Sequence, residues 1–305
     1  MRIVSLVPAA TEICFALGLG GDVVGVSPEC DFPAAASGLP RISRTLLDSE
    51  GRTSADTSRI VGERLASGGA LYHVDEEALR EASPDVILTQ GLCEVCAPTM
   101  EDVRAIAARL EHRPRMISLD PHSLKDILED IARVGKACGA TGVASSVVGD
   151  LRDRIERVGF LTSHVHQRPS CLCLEWLDPL FVAGHWVPEM VELAGGQDLL
   201  AEPGAMSRRV EPKEIALMAP ETAVMMPCGF HLDRTLREAA AVTAQPWWQD
   251  LPAARRSRVW AVDGSNYFNR PGPRLVTGLE ILAHILHPEI FPKAPSPKDA
   301  APWMG

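Results

Sequence analysis

No apolar run in the chain approaches the ~20 residues that a bilayer-spanning helix requires, so membrane insertion is not expected. Basic charge is also scarce. Against 40 Asp and Glu stand 30 Lys and Arg, a net charge of -10, whereas a nucleic-acid partner needs a basic field to meet its phosphates. The only adjacent arginine pairs, Arg208-Arg209 and Arg255-Arg256, are diluted by their neighbours. Cysteine is too sparse, at 8 in 305 residues, for a disulfide scaffold. Cys14, Cys138, Cys171 and Cys173 sit in apolar surroundings and read as small core residues. No GxGxxG follows a strand and no GxxxxGKS/T occurs, so nucleotide binding lacks its motif; nor is there a GxSxG serine elbow. No secretory leader is expected at the start either. MRIVSLVPAATE reads as a strand closed by Pro8, not as a charged start followed by an apolar core and a small-residue cleavage site. On that basis a cytoplasmic protein is expected, or a periplasmic or cell-surface one if a leader has been removed.

What is present is alternation. Short β-branched runs are separated by segments of helical spacing, which argues for layered α/β architecture with mainly parallel sheets. In the first half strands are expected at 3–7, 23–26, 86–89 and 116–119, with helices at 11–18, 75–82 and 100–110. Thr11 is the expected N-cap of the first helix and Gly18 or Gly20 its stop. In the second half strands are expected at 170–174, 222–226 and 259–262, with helices at 186–194, 211–219 and 275–286. EALREASPDVILTQ and EIALMAPETAVMMP repeat one idea: short helix, proline, strand. Between the halves, apolar residues recur at helical spacing from Leu124 to Ile155, which predicts one amphipathic rod of about 35 residues and about 50 Å, with a weak spot at Gly139 and Gly142; two separate helices are the alternative. The expected division is therefore an N-terminal α/β lobe at 1–121, a connecting helix at 122–160, a C-terminal α/β lobe at 161–290, and a Pro-rich, disordered tail at 291–305.

In open parallel α/β sheets, ligands bind beyond the carboxyl ends of the strands. Those positions hold SPECDFP, QGLCEVC, EWLDPLFVAGHW, CGFH and DGSNYFNRPGPR, and they are expected to converge on one interlobe cleft. The CEVC motif admits several readings. A redox couple would sit at a helix start after the first strand of a small domain, and Glu94 works against a reactive thiolate. Structural zinc wants four ligands in two close pairs, and the only other pair, Cys171 and Cys173, faces the sheet packing. Cleft lining is the plain reading. Metal contact is the functional one, drawing on Cys30, Cys93, Cys96, Cys228 and His185, donors that suit a soft or borderline ion such as zinc or iron. His164 and His166 read as a solvated turn, and Trp247-Trp248 as an anchor packing a loop onto the second half. Trp176, Trp186, Tyr267 and Phe268 would line a wide cleft suited to a large planar or corrinoid-like ligand.

With these residues in view, the chain resembles the substrate-binding proteins of iron-complex and vitamin B12 ABC importers, particularly their cobalamin-binding branch. The resemblance runs over residues 1 to about 290 and is carried by RIVSLVPAATEICFALGLGGDVVGVSPECDFP, by EALREASPDVILTQ, and by VWAVDGSNYFNRPGPRLVTGLEILAHILHPE. It implies two α/β lobes joined by a rigid helix, a ligand held between them and no catalysis. It also implies one acidic residue per lobe that docks on a membrane permease, here Glu76 or Glu77 and Glu211 or Glu214. The expectation is a binding protein for a corrinoid or other metal-chelate tetrapyrrole, with no required cofactor and an ABC permease as partner. Trp176, Trp186, Tyr267 and Phe268 would give flat contact, while Arg270 and Arg274 would meet carboxylate or phosphate groups. Glu29, Cys30, Asp31, Glu175 and Phe230 complete the lining, and His185 or a thiol approaches the metal. LCEVC, LEWLDPLFVAGHWVPE and MPCGF depart from the ordinary vitamin-binding cleft. The rival expectation is a cytoplasmic metal-handling protein or metalloenzyme that reuses the scaffold.

Overall fold

The computed structural model describes residues 1–47, 51–91 and 97–303. In chain order its first elements are β1 (Ile3–Ser5), α1 (Pro8–Ala16), β2 (Val23–Val26), β3 (Ser43–Thr45), α2 (Ser54–Ala66), β4 (Tyr72–Val74), α3 (Glu76–Ala82), β5 (Val86–Thr89), α4 (Met100–Ala107), β6 (Arg115–Ser118), α5 (Leu124–Ala137) and α6 (Thr141–Thr162). There follow β7 (Ser170–Leu177), β8 (Leu180–Val182), α7 (Val187–Leu193), β9 (Gln197–Asp198), β10 (Arg208–Arg209), α8 (Pro212–Met218), β11 (Thr222–Met225), α9 (Leu232–Thr243), α10 (Pro246–Gln249), α11 (Pro252–Arg255), β12 (Val259–Val262), α12 (Gly264–Tyr267), α13 (Leu275–Leu286) and β13 (Ala300–Pro302). Two compact units result. The first comprises Met1–Arg52, Arg59–Pro121 and Lys125–Asp150; the second comprises Thr53–Ser58, His122–Leu124 and Leu151–Gly305.

The first unit is built on a four-stranded parallel sheet in the order β2-β1-β5-β6, with β3 and β4 paired antiparallel beside it. Its strands are short and apolar because both faces are covered: β1 and β5 are buried throughout. One core of this unit gathers Val4, Leu6, Ile42, Leu79, Ile87 and Val103, and each such side chain contributes about 1.5–3 kcal/mol by leaving water. Thr11 is not a cap. The first helix starts three residues earlier, with Pro8 in its first turn, where a missing N–H costs nothing, and Thr11 turns its hydroxyl inward to Ser5 Oγ at 2.8 Å. Gly18 ends that helix at φ 74, as its position suggests.

The second unit carries a seven-stranded mixed sheet in the order β10-β8-β7-β11-β12-β13, with β9 added to β7. Its centre is parallel, Cys173 opposite Val224 and Val224 opposite Trp260. Antiparallel strands extend both edges. The core packs Leu172, Leu174, Ile215, Met225, Trp248 and Leu251. Trp248, edge-on to Trp247 at 5.5 Å, is the anchor expected of that pair.

Two expectations of organisation are corrected. The long helix that runs from one unit into the other is α6 alone, and α5 is a separate helix before it, so the expected bounds 122–160 are corrected. Gly139 lies at φ 75, and the Ala140 N–H closes back on the Gly135 carbonyl at 2.7 Å, which is a glycine-terminated helix end; the chain restarts as α6 two residues later. Among its described residues, the tail contains an ordered strand. Ala300, Ala301 and Pro302 pair with Val262, Ala261 and Trp260, and the Trp303 N–H adds a bond to the Val259 carbonyl at 2.8 Å. Proline-rich composition hid a strand that tolerates Pro302 because it lies on an edge.

The repeat noted in the sequence is a shared device. Helix α3 ends at Ser83 (φ 40) before Pro84, and α8 ends at Ala219 (φ 46) before Pro220. Both residues adopt the left-handed conformation that costs an L-residue about 1–2 kcal/mol. Ala219→Gly and Ser83→Gly should each raise stability by about 1 kcal/mol, read as a higher denaturant midpoint at unchanged slope. A lower midpoint for both would show that these sites are unstrained.

A buried carboxyl gives a pH signature. Asp198 accepts from the Leu200 and Ala201 N–H groups at 2.9 and 3.0 Å, while its Oδ2 is shut away without a hydrogen-bond partner. Burial, opposed by those two N–H groups, raises it from 3.8 to about 6. Burial also pushes Asp130 up to about 6, with Arg133 opposing. Between those values the folded chain keeps protons that the unfolded chain releases. Their stabilising contribution is therefore full below pH 3.8 and lost as pH rises through about 6. The melting temperature should fall by a few degrees, roughly 2–4 °C per kcal/mol, across that window. Asp198→Asn should flatten the fall; an identical slope in the variant removes Asp198 as its source.

Candidate functional site

In the second unit β7, β11 and β12 run parallel, so their carboxyl ends finish on one edge. Hydrogen bonds tie the segments beyond them together. The Cys228 N–H donates to the Glu175 carbonyl at 2.9 Å, and the Ser265 N–H to the Phe230 carbonyl at 3.0 Å. Asp263 caps α12 by accepting from the Asn266 N–H at 2.8 Å, and its other oxygen lies 3.0 Å from His231 Nδ1.

EWLDPLFVAGHW is not the loop that was expected. Glu175 and Trp176 still belong to β7, which turns at Asp178-Pro179 into β8, with Trp176 opposite Phe181. The antiparallel hairpin continues the strand because Leu174, Trp176, Phe181 and Val182 form cross-strand pairs on its two faces. Trp176 packs on Phe230 with ring centres 5.2 Å apart, and the Arg234 guanidinium sits 3.7 Å over the Phe230 ring, a cation–π contact.

Beyond β8 the backbone is held in an unusual state. His185 has φ 54. Its N–H donates to the Ala205 carbonyl at 2.6 Å and its carbonyl accepts from the Gly204 N–H at 2.8 Å. Gly184 permits this approach, because a Cβ there would lie 2.4 Å from Ser207 N. Strain of this kind persists where its surroundings over-determine it, and it clusters at binding sites. The half-buried His185 ring has Nδ1 shut from solvent with no hydrogen-bond partner. Burial, then neighbouring His122, lowers its pKa below 6.5, so the imidazole is neutral at pH 7. The His122 and His185 ring centres are 5.6 Å apart, and Trp186 lies 5.7 Å from His185 on the other side. His122 belongs to this unit because the Leu124 N–H donates to Glu189 Oε2 on α7 at 2.8 Å. It was not singled out from the sequence.

The remaining expected residues divide by burial. Trp186 (5%), Phe230 (2%) and Phe268 (0%) are buried, with Trp186 Nε1 donating to the Phe268 carbonyl at 2.8 Å. They support the edge; flat contact by Trp186 and Phe268 is corrected to core packing. Arg270 is buried too. Tyr267 is half-buried, donates to Asp299 Oδ1 at 3.0 Å and is pushed up to about 12 by burial and by Asp299. The Arg274 guanidinium lies 5.9 Å from the Tyr267 ring centre. Cys228 is a free, half-buried thiol.

In the first unit, Cys30 is fully buried. Its Sγ meets Thr11 Oγ1 at 3.0 Å and Ser27 Oγ at 3.2 Å, and burial raises its pKa. As ligand lining or metal donor it is corrected to a core residue. Glu29 is half-buried and Asp31 exposed. Cys93 and Cys96 lie outside the described residues. Among the described residues no group of three or more His, Cys, Asp or Glu side chains could hold a metal ion. Glu76 lines a surface depression of 460 Å³ with Tyr72, His73, Asp102 and Arg109. Arg109 holds it at 2.8 and 3.2 Å and lowers its pKa. Glu77 is exposed. Glu211 and Glu214 form the capping box of α8; Glu214 also pairs with Arg208 at 3.0 Å, and Glu211 with Arg209 at 3.4 Å.

Comparison with known proteins gives this geometry a context. The chain is 22% identical over 280 residues to a vitamin B12-binding protein of Vibrio vulnificus, covering 92% of this chain and 87% of that one. It is 24% identical over 297 residues to an uncharacterised ABC transporter substrate-binding lipoprotein of Bacillus subtilis, covering 95% and 81%. Among solved structures, it shares its fold with the apo periplasmic heme-binding protein of Roseiflexus (TM-score 0.72, 23% identity, 95% and 98% covered). It does so equally with the periplasmic vitamin B12 binding protein of Vibrio cholerae (TM-score 0.68, 22% identity, 96% and 98% covered). The expectation of a cytoplasmic protein is corrected by these relatives, which are periplasmic proteins and a lipoprotein and point to an extracytoplasmic place. The relatives are binding proteins, so the chain is not read as an enzyme. The periplasmic binding protein family model matches residues 3–265, and the chain belongs to that family.

Proposed function

We propose that the chain is the substrate-binding component of an ABC importer and holds a flat, metal-containing tetrapyrrole, of corrinoid or heme type, on the strand-end edge of its second unit. The observation that carries this reading is a set of three aromatic contacts in the segments around the strand ends: Trp176 on Phe230 with Arg234 over that ring, His185 against Trp186, and Tyr267 with Arg274 nearby. The partly accessible rings of Trp176 and Tyr267 give apolar contact to a macrocycle, and Arg274 supplies charge for its carboxylate or phosphate groups, Arg270 being buried. The names of the relatives support the ligand class.

Titration of the purified chain with hydroxocobalamin, cobinamide and hemin should shift the visible spectrum of at least one, with Kd of about 1 μM or tighter. Trp176→Ala should weaken that ligand by about tenfold, roughly 1.4 kcal/mol. A flat response to all three ends the proposal.

For the permease partner, Glu77 is the better docking candidate of its pair, because Glu76 is held by Arg109. Glu211 and Glu214 are both engaged, with Arg209 and Arg208 and in the capping box, and Glu211 is taken for the test. The double variant Glu77→Arg/Glu211→Arg should cut ligand-stimulated ATP hydrolysis by the reconstituted importer by about tenfold or more, the cost of opposing like charges, at unchanged ligand affinity. Unimpaired hydrolysis would remove both residues from docking.

A further inference from the structure

The last residues of the chain return to the binding edge. We propose that Asp299 is a positioning residue for the ligand, holding the Tyr267 phenol by its hydroxyl so that the ring meets the ligand with its face. The inference rests on the tetrapyrrole reading above. It adds to that site a segment beyond residues 3–265, the part that matches the family model.

Strand β13 runs antiparallel to β12, with Ala300 opposite Val262 and Pro302 opposite Trp260. The tail therefore enters the sheet at the carboxyl end of β12, the end where ligands of open parallel sheets bind. It leaves at the other end, where the Trp303 N–H donates to the Val259 carbonyl at 2.8 Å. A turn on Ser296 sets the entry. The Ser296 carbonyl accepts from the Asp299 and Ala300 N–H groups at 2.8 and 3.2 Å, and its hydroxyl from the Lys298 N–H at 3.2 Å. Pro295 and Pro297 flank Ser296 and reduce the freedom of the unfolded chain there.

Asp299 is then anchored twice. Its carbonyl accepts from the Asp263 N–H at 2.8 Å, and its Oδ1 accepts from the Tyr267 hydroxyl at 3.0 Å. Those two partners are the N-cap and the last residue of α12. One tail residue thus brackets the helical turn that carries Tyr267.

A phenol has a single proton to donate, and here it points to Asp299. A carboxylate acceptor makes this bond stronger than a neutral one would. The hydroxyl is left with no proton for a ligand, and the half-buried ring becomes the part of Tyr267 that a ligand meets. The Arg274 guanidinium, 5.9 Å from the ring centre, stays the group for a ligand carboxylate or phosphate. A side chain fixed beforehand loses less conformational freedom on binding, and that is the contribution of Asp299.

The test uses the full chain, hydroxocobalamin, cobinamide and hemin as probes, and the variants Asp299→Ala, Asp299→Asn and Tyr267→Phe. The bonds of β13 are main-chain bonds, so these variants keep the strand. Asp299→Ala should weaken whichever probe the parent binds by about three- to tenfold, the range for one side chain immobilised on binding. Asp299→Asn keeps an acceptor for the phenol and should restore most of that loss. Tyr267→Phe should match Asp299→Ala, and the double variant should be no weaker than either, because both remove one contact. A spectroscopic signature accompanies the affinities. The chain has two tyrosines, and Tyr267 is pushed up to about 12 by burial and by Asp299. In Asp299→Ala its ionisation, read as tyrosinate absorbance, should move toward 10.0. Parental affinity in either Asp299→Ala or Tyr267→Phe overturns the proposal and leaves the tetrapyrrole reading standing. So does an additive loss in the double variant, or an Asp299→Asn chain as weak as Asp299→Ala. Binding of no probe at all overturns both.

Discussion

The second unit's binding edge depends on main-chain hydrogen bonds between segments that are remote in sequence. Strands β7, β11 and β12 end together because their parallel register is fixed by apolar residues buried on both faces. Only with that register do the Cys228 N–H and Glu175 carbonyl meet, and the Ser265 N–H and Phe230 carbonyl. A slip of one residue would send every side chain to the opposite face, taking Trp176 away from Phe230. The aromatic cluster is therefore a consequence of sheet packing, and the polar caps at Asp263 merely fix its outer loop.

Against that rigid edge, His185 stands out as a residue whose local preference is overruled. Histidine pays for φ 54 in backbone strain, and two hydrogen bonds to residues 204 and 205 hold it there. Conflict between local preference and global structure is uncommon in well-evolved chains and concentrates where function demands it. The neighbouring Gly184, whose missing Cβ lets the 205–207 backbone approach, is the local partner of that strain.

Much of the architecture was legible in the sequence. Runs such as VILT and VWAV are apolar on both faces and flanked by turn residues, so Val86–Thr89 and Val259–Val262 were read with their observed bounds. The misses have physical causes. Helical periodicity from Leu124 to Ile155 continues in phase across the break, so it could not reveal that Gly139 ends one helix before the next begins; only the glycines there hinted at it. Trp176 and Phe181 read as loop because Asp178-Pro179 interrupts them, although that pair is the hairpin turn. Aromatic residues at strand ends were legible as a group, but burial was not, and so Phe268 and Trp186 were taken for contact residues. His122 follows a strand and could have been found by the same rule as the others. What no spacing could tell is that Leu124 and Glu189 draw it to His185.

The two units share a local device but differ in the residues that follow their strands. Both use a left-handed residue before proline to turn a helix into a strand, at Ser83-Pro84 and at Ala219-Pro220. Beyond that strand and its neighbours the described residues differ. In the first unit the Cys30 thiol is spent on Ser27 and Thr11 inside the core, and Asp120 accepts from the Gly91 N–H. In the second unit the equivalent positions carry Trp176, Cys228 and Tyr267, whose side chains stay partly accessible. Apolar rings with open faces favour association, since they leave water on binding. Trp176 and Tyr267 offer such faces in the second unit, and the exposed Phe32 beside Asp31 offers one in the first.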